Sequence, residues 1–243
     1  MFFDGAGGRM NYRIWRCDGD PAAVMVFLHG IGQSSALYHR YARAMNRGGI
    51  EVWGLDHPGH GLSEGEPNTM PPIPVLVANA ELFLGMAHTA RPDTPLVLAG
   101  HSLGAGVALL ATHAGGDAAR QLCALALTGT PSRDVIMELP APRVPTLLLH
   151  GADDRIAPME PVRRWASRSH GTRFHEFPDA GHDLLHEPVH REIQSLITEF
   201  VHQRLIDLQR RRPRPLTAAP GLRPPPHTEL TVPLTTPGSR QPR

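Results

Sequence analysis

The sequence predicts an α/β architecture, a mostly parallel central sheet with helices on both faces, on three observations. Short apolar blocks bounded by Gly or Pro alternate with longer segments of helical spacing, the pattern of parallel strands joined by crossover helices. One block, Leu96 to Ala99, runs straight into Gly100-His101-Ser102-Leu103-Gly104 and then into an alanine- and leucine-rich stretch. The chain has 243 residues and is 41% hydrophobic, which suffices for one such domain with a sizeable core.

In chain order, Met10 to Arg16 is expected to supply an antiparallel strand at the sheet edge. Val24 to His29, Val52 to Asp56, Leu96 to Ala99, Leu122 to Leu127 and Thr146 to His150 read as buried parallel strands, with Thr172 to Phe177 the last. Between them, residues 35–47, 74–90, 105–114, 158–169 and 187–210 have the length and apolar spacing of helices. Residues 128–145 carry Pro131, Pro140, Pro142 and Pro145, so this connection is predicted to be a loop with at most one helical turn around Asp134 to Leu139. The final helix sets Ile193, Leu196, Ile197, Phe200, Val201 and Leu205 on one face and ends in Arg210-Arg211-Arg212 before Pro213. Basic residues suit a helix C-terminus, and proline stops it. Nine prolines follow in the last 31 residues with few large apolar groups, too little burial to offset the entropy of ordering. The expected organisation is a domain over residues 1–210 and a disordered Pro/Arg-rich tail over 211–243.

The formal net charge is +1, and all 24 basic residues are arginine. Six of those arginines lie in residues 211–243 against Glu229 alone, so the domain is mildly acidic and the tail basic. No nucleic acid partner is expected. Cys17 and Cys123 stand far apart in apolar or strand-like stretches, which suits reduced thiols better than a disulfide framework. The first residues lack a basic region followed by a long apolar stretch, and no run approaches the roughly 18 apolar residues of a membrane span. A cytoplasmic location is the expectation. The sequence leaves the oligomeric state open.

The chemistry is expected at Ser102. A strand that turns within one residue into a helix holds its central residue in a strained conformation, and glycines two before and two after let the neighbouring backbones pass. The strain pushes the hydroxyl clear of the sheet, and the helix behind it aims free N–H groups at an oxyanion formed there. A serine hydroxyl needs a general base, and the base needs an acid to fix its tautomer. His182 is the predicted base: it follows the last strand, next to Gly181, whose tight turn brings it back over the sheet edge. Of the 15 histidines, His175, His186 and His190 are read as surface or packing residues, and His29 as structural. Asp153 and Asp154 both follow the Thr146 strand, and one of them is expected to face the site. The oxyanion donors are expected to be the N–H groups of Leu103 and Ile31. Gly30 and Gly32 complete no dinucleotide fingerprint or P-loop, and neither cofactor nor metal is predicted.

Four motifs, His29-Gly-Ile-Gly, Asp56-His-Pro-Gly-His-Gly-Leu-Ser-Glu-Gly, Gly100-His-Ser-Leu-Gly and the Gly151 to Ile156 loop followed by Ala180-Gly-His182, together resemble the α/β-hydrolase fold superfamily. Within it the chain is similar to the monoacylglycerol lipase and lysophospholipase-like serine hydrolases, over about residues 24 to 190. The resemblance implies Asp154 as the acid, with Asp153 as fallback. It also implies hydrolysis of a small-molecule carboxylic ester, with monoacylglycerols, lysophospholipids or thioesters as candidate substrates, through an acyl-enzyme. Asp56 to Gly65 is read as a rigid turn at a strand end. Relatives insert a helical cap before the acid-bearing strand, and here only residues 128–145 stand there. The site is therefore expected to be open and to favour small or water-soluble esters, with Ile136, Met137 and Leu139 either forming a small apolar lip or packing on the domain. The alternatives are a non-catalytic ligand-binding protein of the same fold and a cofactor-free lyase or oxidative enzyme using the same three residues.

Overall fold

A computed structural model describes residues 1–67 and 69–211, and in these residues eight strands form one sheet. The strands are β1 (Phe2–Gly5), β2 (Gly8–Trp15), β3 (Ala23–Leu28), β4 (Ile50–Leu55), β5 (Leu96–His101), β6 (Leu122–Thr128), β7 (Thr146–Gly151) and β8 (Thr172–Phe177). They lie in the order β1-β2-β4-β3-β5-β6-β7-β8. Pairing is antiparallel from β1 to β2 and from β2 to β4, and parallel from there on. The edge prediction is corrected here. The strand read at Met10 to Arg16 is second from the edge, and β1, which the apolar pattern did not register, pairs outside it.

The helices are α1 (His39–Arg47), α2 (Ile73–Ala90), α3 (Leu103–Ala114), α4 (Asp134–Met137), α5 (Met159–Arg168) and α6 (His190–Arg211), with 3-10 turns at Ser35–Tyr38 and Ala119–Gln121. Side chains alternate along each strand, so the sheet builds two cores. Val24, Val26 and Leu28 of β3 join Leu76, Phe83, Val107 and Trp165 of α2, α3 and α5 on one face. Met25 and Phe27 join Tyr41 and Met45 of α1 and Ile193, Ile197 and Phe200 of α6 on the other. Because both faces are covered, the central strands are mostly apolar, and β3, β4, β5 and β7 are buried at every position.

By length and mean hydropathy, 1.3 over 18 residues, α2 passes as a membrane-crossing helix, which the sequence reading did not register. Its Leu76, Ala80, Phe83, Leu84 and Ala87 are buried in the first core, the packing of a core helix of this domain. The connection from β6 to β7 is a loop with one helical turn, α4, as its prolines predict. The tail read over residues 211–243 lies outside the described residues, apart from the backbone of Arg211.

Candidate active site

The parallel strands β3, β5, β7 and β8 end at the same side of the sheet, and the loops leaving them bring the predicted residues together. Ser102 sits between β5 and α3 with φ 51°, the one non-glycine residue with positive φ among those described. That conformation is costly for a residue with a side chain and recurs at functional sites. Three backbone bonds hold it: the Ser102 N–H donates to Thr128 O on β6 at 3.0 Å, and its carbonyl accepts from the N–H groups of Ala105 at 2.9 Å and Gly106 at 3.2 Å. The flanking glycines are required by space. A Cβ at Gly100 would collide with the Gly104 carbonyl, and one at Gly104 with the Leu28 carbonyl.

The Ser102 hydroxyl lies 2.8 Å from His182 Nε2, and His182 Nδ1 lies 2.7 Å from Asp154 Oδ2. A proton on Nδ1 donates to the carboxylate and leaves Nε2 to accept from the serine. Of the two adjacent aspartates, Asp154 is buried and joins the site, while Asp153 points to solvent. The Asp154 carboxylate is saturated with donors. Oδ1 accepts from the N–H groups of Ile156 at 2.9 Å and Ala157 at 2.8 Å. Oδ2 also faces His150 Nε2 at 3.3 Å, and both side chains are fully buried. Burial pushes the Asp154 carboxyl up, but the hydrogen bonds from His182 and Ala157 and the charges of His182 and His150 together hold it below the usual range.

His150, read in the sequence only as the end of a strand, is thus part of the acid's surroundings. Its Nε2 faces two acceptors, Asp154 Oδ2 and the Ala157 carbonyl at 2.8 Å, so the ring proton is on Nε2. Its Nδ1 is buried without a partner. A polar residue closing a buried apolar strand, four before the acid, was the signal for it.

The loop after β3 holds Ile31. Gly30 N–H donates to Gln33 Oε1 at 2.9 Å, Gly32 N–H to His60 Nε2 at 3.1 Å, and Gln33 N–H to Gly30 O at 3.2 Å. Those bonds tie down the amides on either side of Ile31 and leave its own N–H without a partner among the described residues. The Leu103 N–H, first in α3, has no acceptor within its helix. Gln33 and His60, which brace this loop, were not singled out from sequence. His29 is structural, as expected: it is fully buried, with Nδ1 2.8 Å from Gly30 O and Nε2 accepting the His57 N–H at 3.0 Å. Asp56 also has the structural role read for its motif. Its carboxylate accepts from the Ser35 N–H and hydroxyl, the Leu62 N–H and Arg13.

Behind His182 lies a further pair of rings. His101 is buried, its ring centroid 5.2 Å from that of His182, and burial together with the charge of His182 pushes it down to about 4. His186 Nδ1 donates to Asp183 Oδ1 at 2.8 Å and Nε2 faces the Leu37 carbonyl at 3.1 Å. The Asp183 bond raises its pKa. His190 caps Glu187 O and His175 is exposed beside Phe177, the packing and surface roles read for them.

Ser102, His182, Ile31 and Leu103 line a cavity of about 540 Å3 walled by Val107, Leu110, Pro131 and Ile136. Of the three lip candidates, Ile136 lines it, whereas Met137 and Leu139 pack into the core. The mouth is open: Ile31 is 50%, Val135 62% and Ile156 75% exposed.

Known proteins resemble this chain in sequence and architecture. The Hydrolase_4 family, "Serine aminopeptidase, S33", matches residues 19–138. A monoacylglycerol lipase of Mycolicibacterium smegmatis is 35% identical over 106 residues, 43% of this chain and 38% of that protein. The human monoglyceride lipase is 34% identical over 98 residues, 40% of this chain and 32% of its own length. The chain thus aligns with only about a third of the length of each of these relatives. The structure of a soluble variant of the Saccharomyces cerevisiae monoglyceride lipase superposes with a TM-score of 0.74 at 13% identity, covering 84% of this chain and 94% of that one. An α/β serine hydrolase without lid from Xanthomonas campestris does so with a TM-score of 0.67 at 21% identity, covering 86% and 93%. Sheet order and solved structures together give this chain the α/β-hydrolase fold, and in sequence it is similar to the monoacylglycerol lipases.

Proposed function

We propose that the chain is a serine hydrolase of small or water-soluble carboxylic esters. The observation that carries this reading is the unbroken line from Ser102 Oγ through His182 to Asp154 Oδ2, 2.8 and 2.7 Å long, opening onto an apolar cavity. Ser102 attacks the ester carbonyl as its proton passes to His182 Nε2, and the ionised Asp154 stabilises the imidazolium. The N–H groups of Ile31 and Leu103 take the oxyanion. His182 returns the proton to the departing alkoxide, and water then cleaves the acyl-enzyme by the same relay. The short β6 to β7 connection leaves the mouth open to water, so modest rates and short acyl chains belong to the proposal. The division into a domain to residue 210 and a tail, and a cytoplasmic location, are part of it as well. Cys17 and Cys123 are free thiols, which suits a reducing compartment.

The test is hydrolysis of 4-nitrophenyl esters from acetate to dodecanoate by wild type and Ser102→Ala, each with and without a fluorophosphonate. Short-chain turnover and labelling that both vanish in Ser102→Ala support the hydrolase. Folded wild type that is neither labelled nor active overturns it and favours the ligand-binding alternative. Labelling without ester turnover points to the lyase or oxidative one.

A further inference from the structure

We propose that this cavity selects esters that also carry an anionic group, a carboxylate or a phosphate, and that Arg133 binds it. The inference rests on the ester-hydrolase reading and adds the chemical class of the substrate.

The cavity lining is apolar with one fixed charge. Beside the hydroxyls of Ser102 and Ser132 and the His182 ring, Arg133 is the only ionic side chain in its lining among the described residues, which include no aspartate or glutamate there. The nearby carboxylate of Asp154 is fully buried and already saturated by donors. Nothing negative in the pocket therefore answers the guanidinium.

Arg133 is also unspent elsewhere. Arg13, Arg91, Arg163 and Arg204 each sit in an ion pair, whereas Arg133 is exposed and has neither an ion pair nor a side-chain hydrogen bond among the described residues. Its place is nonetheless fixed. The N–H groups of Ile136 and Met137 both donate to its carbonyl at 2.9 Å, and Trp165 Nε1 and Arg168 anchor the same turn through Leu139 O and Met137 O at 2.8 Å. A fixed backbone thus carries a planar fork with five N–H donors into a cavity lining that also holds the apolar Val135 and Ile136. That is the geometry suited to bidentate capture of a carboxylate or phosphate.

The anion can reside on the acyl or the alcohol side of the ester, and matched pairs distinguish the two. On the acyl side, 4-nitrophenyl pentanoate is compared with mono-4-nitrophenyl glutarate. On the alcohol side, butanoylglycerol is compared with butanoylglycerol phosphate, following butyrate release. The expected result is a kcat/KM preference for the anionic member of about tenfold in one arm at low ionic strength, the scale of one charge-assisted hydrogen bond. That preference shrinks in salt, falls to about unity in Arg133→Gln and is partly kept in Arg133→Lys. Equal or better use of the neutral member in both arms, or a preference that survives in Arg133→Gln, overturns the proposal. If wild type cleaves none of the four esters, the hydrolase reading fails by itself. Calorimetry of glutarate and butyl phosphate on Ser102→Ala then decides: binding that Arg133→Gln on that background removes upholds the anion site, and no binding overturns it.

Discussion

Asp154 takes three hydrogen bonds, from His182 and the Ile156 and Ala157 amides, with His150 Nε2 3.3 Å from its Oδ2, and these hold it ionised while buried. The His150 contact is the longest at 3.3 Å, yet it shares Oδ2 with His182. Losing it weakens the hold on the carboxylate to which His182 Nδ1 is bonded. His150→Leu is expected to lower kcat for the best ester about tenfold, near 1.4 kcal/mol, with little change in KM. His150→Gln, which keeps an N–H donor, should recover part of it. Steady-state kinetics on both variants, with thermal melts to register folding, decide the matter, and wild-type kcat in His150→Leu would dismiss the contact. Ser102, His182 and Ile31 were legible because each is tied to a turn or strand end that its neighbouring glycines announce. Asp154 was separable from Asp153 only by resemblance, since the choice depends on which carboxylate the loop turns inward. His150 carried only the signal of a polar residue closing an apolar strand, and it and Gln33 meet groups three to seven residues away whose positions depend on how their loops turn, whereas His60 meets Gly32, 28 residues away.

The elbow from β5 to α3 depends on where the helix meets the neighbouring strand. A Cβ at Gly104 would run into the Leu28 carbonyl, whereas one at Gly106, two residues on, meets only Ile136 and Pro131 carbons at 3.5 Å, ordinary contact. Gly104→Ala is expected to destabilise the domain by at least about 2 kcal/mol through forced backbone movement and to abolish fluorophosphonate labelling. Gly106→Ala should stabilise by about 0.5–1 kcal/mol, the helix propensity gained over glycine, while narrowing the cavity it lines and shortening the longest acyl chain accepted. Urea unfolding with an acyl-chain series reads both effects; a stable, active Gly104→Ala would contradict the close approach. The buried strands were legible for the same reason that they pack: covered on both faces, they are continuous apolar runs. β1 was not, because its four residues alternate between exposed and half-buried and its strand identity comes from pairing with β2. α3 starts at Leu103, two residues before the predicted start, because the elbow leaves no room for a linker.

The whole domain holds an unusual set of neutral buried histidines. Burial pushes His29 and His101 down to about 4, holds His57 well below its usual value with help from His29 and His60, and lowers His150. In the unfolded chain each titrates near 6.5. Between about pH 6.5 and 4 the unfolded state therefore binds more protons than the folded one, and the stability of the fold falls as pH falls. The contribution is fully present above 6.5 and is lost through this window, levelling off near 4 where His29 and His101 take up protons in the fold too. For His29 and His101 the shift corresponds to an upper bound of about 2 kcal/mol each by pH 5. His186 acts in the opposite sense, since its bond to Asp183 raises its pKa, but it is one partly exposed ring against four. Against a typical total of about 5–15 kcal/mol, the sum is enough to bring the domain close to unfolding in mildly acidic buffer. Urea titrations at about pH 7.5, 6 and 5 should give an unfolding free energy that drops by several kcal/mol, with a smaller drop in His57→Gln. An unfolding free energy constant within about 1 kcal/mol over that range would mean that these rings gain protons without cost in the fold, and that the interior around His29, His57 and His101 is open to water.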